Sequence, residues 1–245
     1  MAKLRWSTLL VDGLTAFKKD WTSYAVWALA LLTLPHVLIY FLPNTELTYA
    51  LLMVVLLLAS FKFSLGVLII GGRTLKKRKT SVKQFKKLMW KKFLPYVGTT
   101  LLVALISLAI MLPFFIASSW VSASLGVDGT ALAILLLFAG VLVLFFIMIR
   151  YLFATIIAVL GKQHYMKALQ ASKKLVNANY WKTILWALGF GLVIGIPVAL
   201  ISGIITGVLS ATPTQVALGM TITNVLQPFL FVPFTLTLVK WYYKL

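Results

Sequence analysis

Residues Ala131–Leu160 read ALAILLLFAGVLVLFFIMIRYLFATIIAVL, a continuous apolar run broken by one charge, Arg150. An α-helix needs about 20 apolar residues to cross the hydrocarbon core of a bilayer, so this run spans a membrane with length to spare. Working outward, five further runs of the same kind appear: Trp21–Leu42, Leu47–Gly71, Leu94–Ala117, Ile184–Leu209 and Val216–Val239. The expectation is an all-α integral membrane protein with six transmembrane helices. The first run starts only after Asp12 and the Lys18–Lys19 pair and is as long as a full span. It is therefore read as a span rather than a cleaved signal, and no lipidation motif is recognised.

Composition points the same way. Apolar residues make up 62% of the chain, charged residues 11%, and mean hydropathy is +1.02. Soluble domains run nearer half apolar and a quarter charged. A chain this apolar cannot cover its core with polar surface, so lipid must act as solvent for much of it. That excludes a soluble enzyme, a secreted disulfide scaffold and a disordered regulator. The absence of cysteine excludes thiolate metal sites, iron–sulfur clusters and disulfides.

Charge placement then sets the orientation. The chain has 23 Lys and Arg against four acids, a formal net charge of +19. In a soluble protein this would suggest nucleic acid. Here the charges fall in the gaps between apolar runs, and no nucleic-acid partner is expected. All the cations but Lys62 and Arg150 lie in residues 1–20, 72–93, 161–182 or the tail. The connections near 43–46, 118–130 and 210–215 carry none and hold Glu46 and Asp128. Basic residues beside spans stay on the cytoplasmic side. The expectation is a multi-pass protein of the plasma or inner membrane with both termini cytoplasmic.

The basic segments are also amphipathic at helical spacing. In 162–180, Tyr165, Leu169, Ser172 and Val176 oppose Lys167, Gln170, Lys174 and Asn177. In 82–93, Val82, Phe85, Met89 and Phe93 oppose Lys83, Lys87 and Lys91. In 4–19, Trp6, Leu10, Gly13 and Phe17 oppose Arg5, Thr8, Asp12, Thr15 and Lys19. Short basic amphipathic helices lie in the membrane interface. Each precedes two spans, which gives three repeats of interfacial helix plus transmembrane hairpin, at about 1–73, 74–161 and 162–245, within a single polytopic domain covering 1–245. The first span of each repeat carries a proline, Pro35, Pro113 or Pro197.

The stretch Arg150-Tyr-Leu-Phe-Ala, then Lys167-Ala-Leu-Gln-Ala-Ser172-Lys-Lys-Leu, then Asn179-Tyr-Trp181-Lys resembles the glycerophosphoryl diester phosphodiesterase membrane domain family in its stand-alone six-span form. That family pairs an Arg late in one span with an Ala-Leu-x-x-Ser interfacial helix and an aromatic pair opening the next span. Two departures stand out: Gly161-Lys162-Gln163 replaces the acid often found before the Ala-Leu helix, and Asn177-Ala178-Asn179 replaces the Gly usually preceding the Trp. The resemblance implies architecture more than activity.

Phosphodiester hydrolysis needs clustered carboxylates for a metal and a His pair for acid–base work. Asp12, Asp20, Glu46 and Asp128 are scattered, and His36 and His164 lie far apart in sequence. No metal site, cofactor or catalytic residue is expected. His36 beside Pro35 is read as capping freed carbonyls.

The residues of interest are Lys62 and Arg150, at matching places in the first two repeats. If the helices are straight, Lys62 lies about 16 Å from Arg73 and Arg150 about 18 Å from Lys162, both near the midplane. A cation there costs roughly 2.5–3.5 kcal/mol, and no acid lies within a span. Two readings stand: the side chains snorkel to the interface, or they bind an anion with Asn224 and Gln227 of the third repeat. Gly191, Gly195, Ala199, Gly203 and Gly207 recur at every fourth residue and form a helix-packing ridge, within the bundle or in a homodimer. The basic segment Arg73, Lys76, Lys77, Arg78, Lys79, Lys83, Lys86, Lys87, Lys91 and Lys92 attracts anionic lipid and sets topology, or docks a partner protein. The functional expectation is a non-enzymatic membrane protein that binds or moves anionic lipids or small phosphorylated solutes. The alternative is an accessory or scaffold protein that recruits a partner through its basic face and transports nothing. A channel lacks a ring of like residues for a filter.

Overall fold

A computed structural model describes residues 6–28, 46–76, 82–208, 222–223, 226 and 231–244. Among these the protein is all-helical, with no strand. The elements are α1 (Trp6–Ala28), α2 (Glu46–Thr74), α3 (Val82–Met148), a 3-10 turn (Ile149–Tyr151), α4 (Ala154–Leu160) and α5 (Met166–Asn177). After them come α6 (Tyr180–Phe190), a π turn (Gly191–Gly195), α7 (Ile196–Val208) and α8 (Val232–Tyr242).

Among the described residues, four stretches are long and apolar enough to cross a membrane: Val54–Thr74, Lys83–Gly126, Gly129–Leu160 and Tyr180–Ile205. They correspond to the second to fifth expected runs. The first and sixth lie partly outside the described residues. The connection expected at 118–130 is helical except at Gly126, whose φ of 57° and ψ of −133° turn α3 back on itself. The reversal therefore takes a single residue of left-handed backbone, which glycine adopts without a Cβ clash. It leaves two antiparallel arms, 82–125 and 127–148.

The helices form two compact units, Met1–Phe93 with Leu188–Leu245, and Leu94–Ala187. In the first, α1, α2 and α8 share a core of Ala16, Tyr24, Ala28, Phe63, Val67, Val232 and Leu236. Two glycines let helices approach: an added Cβ would strike Thr237 at Gly13 and Leu236 at Gly71. α1 is kinked at Asp20, with φ −120° and ψ 18°. The Asp20 carboxylate accepts a hydrogen bond from Thr74 Oγ1, which ties the kink to the end of α2. Asp12 pairs with Lys240 Nζ at 3.2 Å.

The amphipathic patterns are legible in the burial. Leu169, Ser172 and Val176 of α5 are buried while Lys167, Gln170, Lys174 and Asn177 are exposed; Tyr165, expected on the apolar face, is instead 45% exposed, just ahead of the helix. Phe85 is buried and Lys83, Lys87 and Lys91 are exposed; 82–93 continues without interruption into the rest of the first arm. In α1, Gly13 is buried and Thr8, Thr15 and Lys19 are exposed, although Leu9 and Ala16 are buried more completely than Leu10 and Phe17.

Candidate functional site: an arginine at a helix break

The expected fourth span is not one helix. The second arm of α3 ends at Met148, winds through the 3-10 turn and resumes at α4, with Phe153 at φ −96° and ψ 0°. A break removes backbone groups from the helical ladder, and buried ones need partners. Ser172 supplies both. Its Oγ donates to the Arg150 carbonyl at 2.9 Å and accepts from the Phe153 N–H at 3.2 Å. Ser172 is fully buried. The sequence pattern placed it on the apolar face of α5, and there it closes the gap in the neighbouring helix.

Arg150 sits in this turn, half-buried. Its guanidinium carbon lies 5.3 Å from the centre of the Tyr180 ring, a cation–π contact. Its Nε is buried and has no hydrogen-bond partner among the described residues. Tyr180 is itself held by a 2.8 Å hydrogen bond from its hydroxyl to the Phe146 carbonyl, and it meets Trp181 edge to face. A guanidinium with a buried, unsatisfied donor, stacked on a fixed ring, can donate to the oxygen of an anion.

The segment leading into α5 is fixed from the first arm. The Tyr165 N–H donates to Thr99 Oγ1 at 3.1 Å, and Thr99 Oγ1 donates to the Pro95 carbonyl at 2.7 Å. The Tyr165 ring lies against Gly98, where no Cβ would fit. Tyr165 has a φ of 54°, rare for a side-chain-bearing residue. His164 Nδ1 is 3.1 Å from the Ala158 carbonyl. No sequence motif flagged Thr99 or Gly98, because their partners lie far along the chain.

Lys62 is built differently. α2 runs through it unbroken, and its Nζ is 5.9 Å from the Trp90 ring centre. Lys62 and Arg150 fall in different units. Asn224 and Gln227 lie outside the described residues. Of the basic segment, Arg73 Nη2 donates to Gln84 at 3.2 Å and Lys76 lies 4.3 Å from the Tyr243 ring centre. Lys83, Lys86, Lys87 and Lys91 are exposed, Lys92 is half-buried, and Lys77, Arg78 and Lys79 lie outside the described residues.

The small-residue ridge is interrupted. Gly191 and Gly195 fall in the π turn just before Pro197, so the four-residue spacing is not one straight line on an α-helix. An added Cβ at Gly191, Gly195, Gly203 or Gly207 would meet no described atom within 4 Å, and Ala199 is exposed. Among the described residues no group of three or more His, Asp or Glu gathers as a metal site.

No protein-family model, curated protein or solved structure matches the chain.

Proposed function

We propose that the chain is a non-enzymatic membrane protein of six spans that binds or moves anionic lipids or small phosphorylated solutes. Arg150 is its principal anion ligand. The spans form three repeats of interfacial helix plus hairpin with both termini cytoplasmic, the layout of the stand-alone phosphodiesterase-membrane-domain proteins the sequence resembles. The observation that carries this reading is the buried Arg150 Nε without a partner, beside a helix break and stacked on Tyr180. A purely structural arginine would be expected to spend its donors on the carbonyls that the break exposes. Here Ser172 takes the Arg150 carbonyl instead.

A second reading, an accessory protein that recruits an acidic partner and transports nothing, is favoured by one observation. Lys83, Lys87 and Lys91 recur along one exposed helix face.

Native mass spectrometry from mild detergent separates the two. The ligand reading expects anionic lipid or phosphometabolite to co-purify with the wild type and to be lost from the Lys62→Gln/Arg150→Gln double variant. Identical adducts on both, or none on either, would refute it. The scaffold reading instead expects charge reversal at Lys83, Lys87 and Lys91 to abolish capture of a partner while Lys62→Gln is tolerated.

A further inference from the structure

Residues 94–187 divide into two zones by what their outward side chains expose. From 105 to 146 the large exposed residues are apolar, with Leu105, Leu112, Phe115, Phe138 and Phe146 each at least 43% exposed, and the exposed polar residues among those described, Ser119, Ser122, Ser124 and Thr130, cluster around the Gly126 turn. From 149 to 160 no residue is exposed. α5 covers that stretch, running back beside α4 so that Ser172 meets Arg150 and Phe153.

The outer face of α5 is polar except for Met166 at its start, which is 56% exposed. Lys167, Gln170, Lys173, Lys174 and Asn177 are all exposed there. Such a face cannot rest in hydrocarbon, and so the covered zone lies outside it.

Several contacts fix where the apolar zone ends. The two arms of α3 are antiparallel, with Gly140 against Phe114 and Ser107 Oγ 3.4 Å from Met148 Sδ. Leu105 is therefore near the level of Arg150. From Leu105 to Leu125 an α-helix is about 30 Å long, the thickness of the hydrocarbon core. Tyr180 is bonded to Phe146 at this same level, and the neighbouring Trp181 is 71% exposed. Tyr and Trp concentrate where hydrocarbon meets headgroup. Because Tyr165 is bonded to Thr99 and Ser172 to the Arg150 carbonyl, a boundary further along the first arm, beyond the exposed Leu94 and Leu101, would place Lys173 and Lys174 in hydrocarbon.

We infer that in this unit the hydrocarbon ends at Phe146 and Tyr180, and that Arg150 binds the phosphate of a phospholipid headgroup in the leaflet on the lysine-rich side. Arg150 is then a boundary residue and not a midplane one. The helix break brings it there, and Tyr180 holds the guanidinium plane toward the headgroup layer. The inference rests on the proposed anion-ligand role for its ligand, but its depth assignment stands apart from that role, on exposure and on the contacts between the arms.

The chain lacks cysteine, so single-cysteine reporters are available without background. Spin labels at Phe138→Cys, Phe146→Cys, Trp181→Cys and Lys174→Cys would be measured in vesicles of phosphatidylcholine and phosphatidylglycerol at 3:1. Collision with oxygen against a water-soluble nickel chelate reports depth. The expected result is position 138 deep, 146 and 181 at the boundary and 174 in water. Position 181 as deep as 138, or position 174 in hydrocarbon, would overturn the depth assignment.

The ligand is tested by phosphatidylglycerol retained per protein in detergent. Arg150→Gln should retain roughly tenfold less than wild type, the loss of a charged hydrogen bond, and Arg150→Lys should keep part of it. The two variants together distinguish a lost ligand from a lost fold. Displacement of the lipid by millimolar inorganic phosphate would assign the site to a soluble phosphate and overturn the lipid. Wild type that retains no phospholipid and binds no phosphate would sink the anion-ligand reading itself, leaving the depth result in place.

Discussion

α2 carries Lys62 through an unbroken helix, whereas the second arm of α3 reaches Arg150 only by leaving the α-helical pattern. Both runs are apolar and both carry one basic residue. In each, the exposed apolar side chains stop about one turn before the cation, at Leu58 in α2 and Phe146 in the arm. Past the cation the two diverge. Beyond Lys62, α2 keeps its backbone bonds and is covered by direct packing, with Leu236 of α8 against Gly71. Beyond Arg150, cover comes from α5, and Ser172 must replace two bonds that the break removes. An unbroken helix needs only shape from its neighbours. A broken one needs a hydrogen-bonding side chain at one defined place, and therefore ties its position to a residue on another element.

The sharpest break in this comparison is Ser172→Val. It removes the partner of the Arg150 carbonyl and of the Phe153 N–H in a buried site, at about 3 kcal/mol for the two groups. Ser64→Val on α2, two residues past Lys62 and half-buried, should cost under about 1 kcal/mol because no break depends on it. Reversible unfolding in mixed micelles measures both. Equal costs would mean that the 3-10 turn does not rely on α5.

Packing by shape is tested at Gly71. Gly71→Val sets a branched side chain against Leu236 and should cost about 2–3 kcal/mol as overpacking. Gly203→Val on α7 is its counterpart. No described atom lies within 4 Å of a Cβ there, so its cost should stay within about 0.5 kcal/mol. A large loss at Gly203 would restore the packing ridge that the four-residue spacing suggests.

The spacing of small residues marks a smooth face but does not record whether anything lies on it, and no residue count reveals the π turn just before Pro197. The four apolar stretches and the exposed and buried faces of α5 were readable because burial follows hydropathy at helical period. Arg150 itself was readable as a lone charge in a long apolar run. The break around it was not, since 149–153 has no proline or glycine to announce it and the length arithmetic assumed a straight helix. Ser172 stood in the same motif as Arg150 and on the apolar face of its helix, but its bridging role was not legible. A serine on an apolar stripe is ordinary, and its value comes from a turn some twenty residues earlier.

Tyr180→Phe tests how Arg150 is held. It keeps the ring beneath the guanidinium and removes only the hydroxyl bonded to the Phe146 carbonyl. Stability should fall by about 1 kcal/mol. Phospholipid retention should fall as well, because the ring is no longer fixed. Unchanged retention would mean that Arg150 is positioned by the turn alone.

Trp90→Leu is the matching test for Lys62 and should have the smallest effect. The Nζ is 5.9 Å from the ring centre, near the outer limit of a cation–π contact, and Trp90 is 67% exposed. Such contacts are worth about 0.5 kcal/mol in exposed settings, and leucine retains part of the apolar surface. Phospholipid retention should be unchanged, in contrast to Tyr180→Phe, because nothing beneath Lys62 depends on an aromatic hydroxyl or a helix break. If Trp90→Leu instead lowers retention as much as Tyr180→Phe, the two cations work as equivalent headgroup ligands. The unbroken helix would then serve as well as the broken one, and the contrast between them would carry no functional weight.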